Sequence, residues 1–278
     1  GFLLTIILFI AEILTIAYAI WRTQGAERTL AWIFAIIAFP GIGMILFYLL
    51  TYRPVKKLKK KKRKTGNIIR NLSKDKKFSK LVEKDDPLLL FVSNITGSQP
   101  TYGNKVLVLN ESEEAFAKIE SEIKGANESI WAEYYIIRRD ETGHRFLNLL
   151  LEMARKGLEI KLIIDAVGSY SVDFRLIRAI RNAGGMIVYF NPLRLFPNKW
   201  SFHLRNHRKL ILIDKKSGFT GGMNVGDEYS GRAMRKGKQY FKDTHLYIEG
   251  PAIKDLSLVF AEDWAFATGH FITQHAMT

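Results

Sequence analysis

Two long apolar runs open the chain, and the remainder alternates between short β-branched stretches and longer segments with a helical hydrophobic period. Phe2 to Ile20 is apolar apart from Glu12 and two threonines, and Leu30 to Tyr52 is apolar throughout. Each is close to the roughly 20 residues needed to cross a bilayer. Only Trp21 to Thr29 lies between them, which makes the pair a transmembrane hairpin; two buried core helices are the alternative. Trp21, Trp32, Tyr48 and Tyr52 fall near the expected ends, where interfacial aromatics sit, and Pro40-Gly41-Ile42-Gly43 should kink or loosen the second helix. Glu12 inside the first run carries no assigned role.

From Leu81 to Gly103 the pattern is mixed, and a short helix with a linker is expected there. It then becomes regular. Strands are expected at Val106 to Leu109, Ser129 to Ile137, Glu159 to Asp165, Met186 to Phe190, Lys209 to Ile213 and Gln239 to Glu249. Helices are expected from Ser112, as cap, to Lys124, from Glu141 to Lys156, from Val172 to Ala183 and from Pro251 to about Ala267. Strands alternating with helices imply an α/β domain with a largely parallel mixed sheet covered by helices. The organisation is a transmembrane hairpin over 1–52, a basic juxtamembrane segment and linker over 53–103, and a catalytic domain over 104–278.

Charge sharpens this division. The formal net charge of +15 is concentrated between residues 53 and 80, where fourteen Lys and Arg face one Asp; residues 1–52 balance and 81–278 carry only the small remainder. Arg53 to Lys64 contains no acid, so the positive-inside rule puts this side of the membrane, and the catalytic domain, in the cytoplasm, with the loop around Gly25 outside. Such a run also attracts anionic lipid head groups. A near-neutral catalytic domain argues against a nucleic-acid partner. The chain has no cysteine, which excludes thiol catalysis, thiolate zinc sites and a disulfide scaffold. No basic stretch precedes the first apolar run, so a cleaved signal peptide is not expected.

Candidate chemistry lies in one place. His207, Lys209 and Asp214 spell HxKxxxxD, followed by the small-residue turn Gly221-Gly222-Met223-Asn224. A histidine can attack phosphorus or pass a proton, a lysine neutralises phosphate oxygens, and glycines let backbone amides approach an anion. Together they describe a phosphoester site. The motif occurs once, because none of His144, His203, His245, His270 and His275 is followed by lysine two residues later. His203 and His245 are expected to be structural or to contact substrate, and Trp131, Tyr134 and Tyr135 to be core and rim aromatics. The basic residues Arg232, Arg235, Lys236 and Lys238 read as a solvated loop or a head-group contact.

These residues resemble the phospholipase D superfamily, whose HKD motif has this spacing. Arg205-Asn206-His207-Arg208-Lys209, Phe219-Thr220-Gly221-Gly222-Met223-Asn224 and Gly226-Asp227-Glu228-Tyr229 are similar to the bacterial cardiolipin synthases, as are Asp165-Ala166-Val167-Gly168-Ser169, Asp243-Thr244-His245-Leu246 and the N-terminal hairpin. The resemblance implies a phosphatidyltransferase of the bacterial inner membrane that joins two phosphatidylglycerol molecules, with release of glycerol, through a phosphohistidine and without a metal or cofactor. Phospholipid hydrolysis, phosphatidylserine synthesis and a non-catalytic half-site protein are the neighbouring readings. By position, His207 is nucleophile or acid/base, Lys209 and Asn224 bind phosphate with the backbone of Gly221 and Gly222, Asp243 orients the histidine, and Asp214 belongs to the catalytic motif, with a structural role through hydrogen bonds or an ion pair as its alternative. The family pairs two HKD motifs, so a second HKD domain in the same chain or a homodimer is the expected partner.

Overall fold

The computed structural model describes residues 1–23, 25–51, 60, 62–66, 87–96, 100–192, 205–235, 237 and 239–272. The chain forms two compact units, one holding the N-terminal helices and the other the sheet.

In the N-terminal unit α1 (Phe2–Arg22) has 21 residues, and among the described residues it is the one helix long and apolar enough to cross a membrane. The single second helix expected from Leu30 to Tyr52 is instead two, α2 (Ala26–Ala38) and α3 (Ile42–Thr51). The break has a backbone cause. Pro40 has no N–H to continue the helix, and Gly41 takes φ +80, a left-handed turn that glycine enters without penalty. Beyond the turn a side chain on Gly43 would collide with the Ala35 carbonyl and the Ile36 backbone, so the two helices approach closely. Ala19, Ile36 and Phe47 are fully buried where the three helices meet. Glu12 has one carboxyl oxygen buried without a hydrogen-bond partner among the described residues.

The second unit is built on seven strands in the order β1-β7-β6-β5-β2-β3-β4: β1 (Lys105–Leu109), β2 (Ser129–Tyr134), β3 (Glu159–Asp165), β4 (Met186–Phe190), β5 (Leu210–Ile213), β6 (Ser217–Gly221) and β7 (His245–Glu249). Its helices are α4 (Pro87–Thr96), α5 (Ser112–Gly125), α6 (Glu141–Arg155), α7 (Phe174–Asn182), the single turn α8 (Arg232–Arg235) and α9 (Ala252–Thr268). The expected mixed α/β sheet is present, but parallel pairing is confined to β2-β3-β4, and the other four strand pairs are antiparallel. Where α6 and α7 return the chain, strands run parallel; where β5 turns directly into β6, they cannot. β6, Ser-Gly-Phe-Thr-Gly, is absent from the expected strands because it lacks the β-branched alternation of its neighbours, and only its last residue falls in the expected Gly221–Asn224 turn.

Alternation decides which helix covers each face. Ile130, Ala132 and Tyr134 of β2, Ile160, Leu162 and Ile164 of β3, and Ile211 and Ile213 of β5 join one buried cluster with Ile119, Leu150 and Ile177 from α5, α6 and α7. The intervening residues face α9: Trp131 stacks on Phe260 at 5.3 Å and Phe190 packs on Phe266 at 5.0 Å. Asp140 and Asp173 cap α6 and α7 by accepting the amides of Gly143 and Arg175, each at 2.9 Å. Ser112 is not the cap of α5; Glu111 precedes it and makes no side-chain cap bond.

Candidate active site

The segment Arg205 to Lys209 enters the sheet just before β5, so His207 sits at the entry to a central strand. His207 is exposed, and its imidazole stacks on the Tyr135 ring with centroids 3.9 Å apart and planes at 19°. The stack fixes the ring plane while the residue stays exposed. The Lys209 ammonium donates to the His207 carbonyl at 2.7 Å and lies 5.8 Å from the centre of the same tyrosine ring. Burial lowers the Lys209 pKa, while nearby Asp243 acts the other way. A cation so placed is partly desolvated and available to an incoming anion.

The glycine turn closes the other side. Gly221 has φ +152 and lies against the Thr244 carbonyl and His245, and a side chain on Gly222 would occupy the space of the Asp243 carboxylate. The Gly222 amide donates to the Thr244 carbonyl at 2.9 Å, so it is committed to the fold. Asn224 is buried, and its Oδ1 accepts the Ile136 amide at 3.1 Å, which leaves its NH2 as the donating end. His207, Lys209, Gly221, Gly222, Asn224 and Asp243 therefore fall in loops and strand ends at one end of the β2-β5-β6-β7 half of the sheet. No hydrogen bond joins Asp243 to His207 in this arrangement; Asp243 lies beside Gly222 and Lys209 instead.

Asp214 is not brought to this group. It lies at the far end of β5, where its carboxylate accepts the amides of Asn127 at 2.9 Å, Glu128 at 2.8 Å and Ser129 at 2.9 Å. Burial opposes its charge, but these three amide donors together with Lys216 hold its carboxyl below the ordinary carboxylate range. The last letter of the motif is a fold-building residue. His245 is fully buried with both ring nitrogens unpartnered among the described residues, and burial, reinforced by the Lys209 charge, pushes it down to about 4. It is a neutral packing residue at physiological pH. Arg232 pairs with Glu141 on α6, while His203, Lys236 and Lys238 lie outside the described residues.

Beneath the motif runs a polar network that sequence reasoning did not isolate. Asn206 donates from its side chain to Glu133 at 2.9 Å and to Asp263 at 3.3 Å, and its backbone amide donates to Asp165 at 3.1 Å. Arg208 pairs with Asp263, Lys62 reaches the same carboxylate at 2.8 Å, and Arg205 donates to the Asn191 carbonyl at 2.9 Å. Glu133, Asp165 and Asp263 are all fully buried. Burial first, then the charge of Asp263, raises the Glu133 carboxyl to about 8. One signal was available: Glu133 interrupts the apolar strand Ser-Ile-Trp-Ala-Glu-Tyr, and an acid at an interior strand position demands partners.

Residues 119–239 match the family model described as "Cardiolipin synthase, PLD-like domain". Over nearly its whole length the chain is similar to cardiolipin synthases, and within it this region is similar to a PLD-like domain. The cardiolipin synthase of Geobacillus sp. (strain WCH70) is 34% identical over 271 residues, covering 95% of this chain and 53% of the relative. The cardiolipin synthase of Alkalihalophilus pseudofirmus is 32% identical over 260 residues, 91% of this chain and 51% of the relative. The probable cardiolipin synthase YwiE of Bacillus subtilis is 33% identical over 273 residues, 95% of this chain and 54% of the relative. The chain thus spans about half the length of the curated relatives it matches. Among solved structures, the likeness to phosphatidylserine synthase of Haemophilus influenzae is loose, with a TM-score of 0.44, 17% identity, and coverage of 62% of this chain and 41% of that one.

Proposed function

We propose that the chain contributes one half of a membrane-bound phosphatidyltransferase that makes cardiolipin from two phosphatidylglycerol molecules and releases glycerol. The observation that carries the reading is the exposed His207 ring held flat on Tyr135 beside the partly desolvated Lys209, within a chain similar along nearly its whole length to cardiolipin synthases. In the first step the imidazole nitrogen bonds to phosphorus, the bond from phosphorus to the glycerol oxygen breaks, and an acid supplies the proton that glycerol carries away. In the second, the hydroxyl of another phosphatidylglycerol loses its proton to that same group, bonds to phosphorus and frees the histidine. Lys209 and the Asn224 NH2 take up the charge on the phosphate oxygens. The second acid/base histidine comes from another HKD domain or another copy. α1 anchors the site at the membrane, and the basic run from Arg53 favours an anionic, cytoplasmic surface.

Asp243 is the proposed orienting acid for His207, its hydrogen bond forming when substrate is bound. Asp243→Asn then lowers kcat by about 100-fold or more and shifts the pH profile, as loss of an orienting carboxylate does. The deciding assay uses labelled phosphatidylglycerol in membranes containing the whole protein. Cardiolipin and free glycerol are expected, with loss of at least roughly a thousandfold in His207→Ala. Phosphatidic acid as the main product would replace the transferase reading by a hydrolase, and full turnover in His207→Ala would remove the mechanism.

A further inference from the structure

The N-terminal unit poses a question of topology. A hairpin of two spanning helices puts the loop between them on the side of the membrane opposite to the segment that follows. The structure has a different shape. Trp32 of α2 packs on Phe47 of α3 with ring centroids 5.4 Å apart, while Ala35 and Ile36 lie against Gly43. Contacts therefore move backward along α2 as they move forward along α3, and the two helices run antiparallel from the turn at Pro40-Gly41. At the open end of this hairpin, Tyr18 near the end of α1 packs on Phe47 at 6.1 Å and stacks on Tyr48 at 6.0 Å. Thr29 of α2 donates to Thr23, just after α1, at 3.0 Å. The end of α1, the start of α2 and the end of α3 thus meet at one level.

Lengths decide what this shape can do in a bilayer. At 1.5 Å per residue, the 21 residues of α1 reach about 31 Å, enough for a hydrocarbon core of about 30 Å. The 13 residues of α2 reach only about 20 Å and the 10 of α3 about 15 Å. The hairpin tip is nevertheless apolar and exposed, with Phe34, Ile37, Phe39, Ile42 and Ile45 uncovered by protein. Arg22, Glu27 and Arg28 gather at the open end, and the basic run beginning at Arg53 follows directly from it. An apolar tip on a charged, aromatic-ringed base matches one leaflet, with anionic head groups at the base.

We propose, on the membrane-bound reading above, that α1 alone crosses the bilayer and that α2 and α3 form a re-entrant hairpin embedded in the single leaflet facing the basic segment. The Thr23–Ala26 connection then lies on the same side as Lys60, and the start of α1 on the opposite side. Arg22 and Arg28 join the Arg53–Lys64 run on one face, so the positive-inside bias strengthens rather than splits. Leaflet-limited backbone obeys the requirement that polar groups in lipid be satisfied within the segment, since α2 and α3 make their own helical hydrogen bonds and the Gly43 amide reaches the Phe39 carbonyl at 2.7 Å.

The absence of cysteine makes a direct test practical. Single-cysteine variants Leu3→Cys, Ala26→Cys and Lys60→Cys, each at an exposed position of the full-length protein, are treated in sealed cells and after permeabilisation with a membrane-impermeant maleimide. Ala26→Cys and Lys60→Cys should share one accessibility, and Leu3→Cys the reverse. Labelling of Ala26→Cys from the side opposite to Lys60→Cys would restore the two-span hairpin. Labelling of Leu3→Cys from the same side as Lys60→Cys would show that α1 does not cross; either result overturns the proposal. Labelling does not require turnover, so a chain that makes no cardiolipin but gives the expected pattern counts against the functional reading alone.

Discussion

At the scale of single residues, the buried carboxylates of the sheet unit do two different jobs that HxKxxxxD does not distinguish. Asp214 holds three amides of the α5–β2 connection, and its removal leaves those donors without their charged acceptor. Asp214→Ala should cost about 3 kcal/mol and lower the midpoint of thermal unfolding by roughly 5–10 °C. The kcat of the protein that remains folded should be unchanged; a catalytic defect at full stability would return Asp214 to the chemistry. Because its folded pKa is depressed, its contribution is present above the unfolded value and is lost as pH falls through the lowered one. Glu133 works in the opposite direction. Between pH 4.5 and about 8 the folded state keeps a proton on Glu133 that the unfolded chain gives up, so stability declines as pH rises through that window. Glu133→Gln, which copies the protonated form, should flatten the decline and be more stable than the parent above pH 8. Superimposable unfolding curves against pH would refute this account. A structural role for Asp214 was an alternative in the sequence, but its partners were not legible, because they are amides some 86 positions earlier, and Glu133 is defined by Asp263 on a distant helix.

At the scale of elements, legibility followed local pattern. β2, β3 and β4 with α6 and α7 between them were readable, since each carries its own period and its own stop signal, and parallel pairing follows from the helical returns. The β5–β6 hairpin was half-readable. β5 is plain, but β6 takes its strand form from pairing with β5 and β7 rather than from its own Ser-Gly-Phe-Thr-Gly sequence. The turn between them is strained in a correctable way: Asp214 and Lys215 have φ of +51 and +54, and the Lys216 amide closes on the Ile213 carbonyl at 3.0 Å. Positive φ at both central positions is the geometry that Asp-Gly favours. Lys215→Gly should therefore stabilise the domain by about 0.5–1 kcal/mol, seen as a rise in unfolding midpoint with kcat unchanged. A fall would mean that the Lys215 side chain makes a contact worth more than the relieved strain. α2 and α3 were misjudged for a related reason. Pro40-Gly41 was visible as a weak point, but a kink and a reversal share the same residues, and only the packing of Gly43 on Ala35 and Ile36 separates them.

At the scale of the whole molecule, the count of one motif sets the outcome. In the proposed reaction a single imidazole cannot hold the phosphatidyl group and at the same moment donate a proton to the departing glycerol, so His207 needs a second acid/base group. The described chain offers no second candidate at the site. His245, which lies within reach of the Lys209 charge, is buried, unpartnered among the described residues and pushed down to about 4, so it stays neutral where a proton donor is needed. Two routes to a complete centre make different kinetic predictions. If a second HKD domain completes it, the 278 residues alone in phosphatidylglycerol vesicles should bind through their basic segment yet turn nothing over, and adding that domain should restore cardiolipin formation. If two copies pair, specific activity should rise with protein density in the membrane, because the active species is second order in chain. Mixing His207→Ala chains with parent chains at a fixed total then separates the cases further. In a symmetric pair both histidines are required, so activity should fall as the square of the parent fraction. A linear decline would place a complete centre within each chain, which the surroundings of His207 argue against.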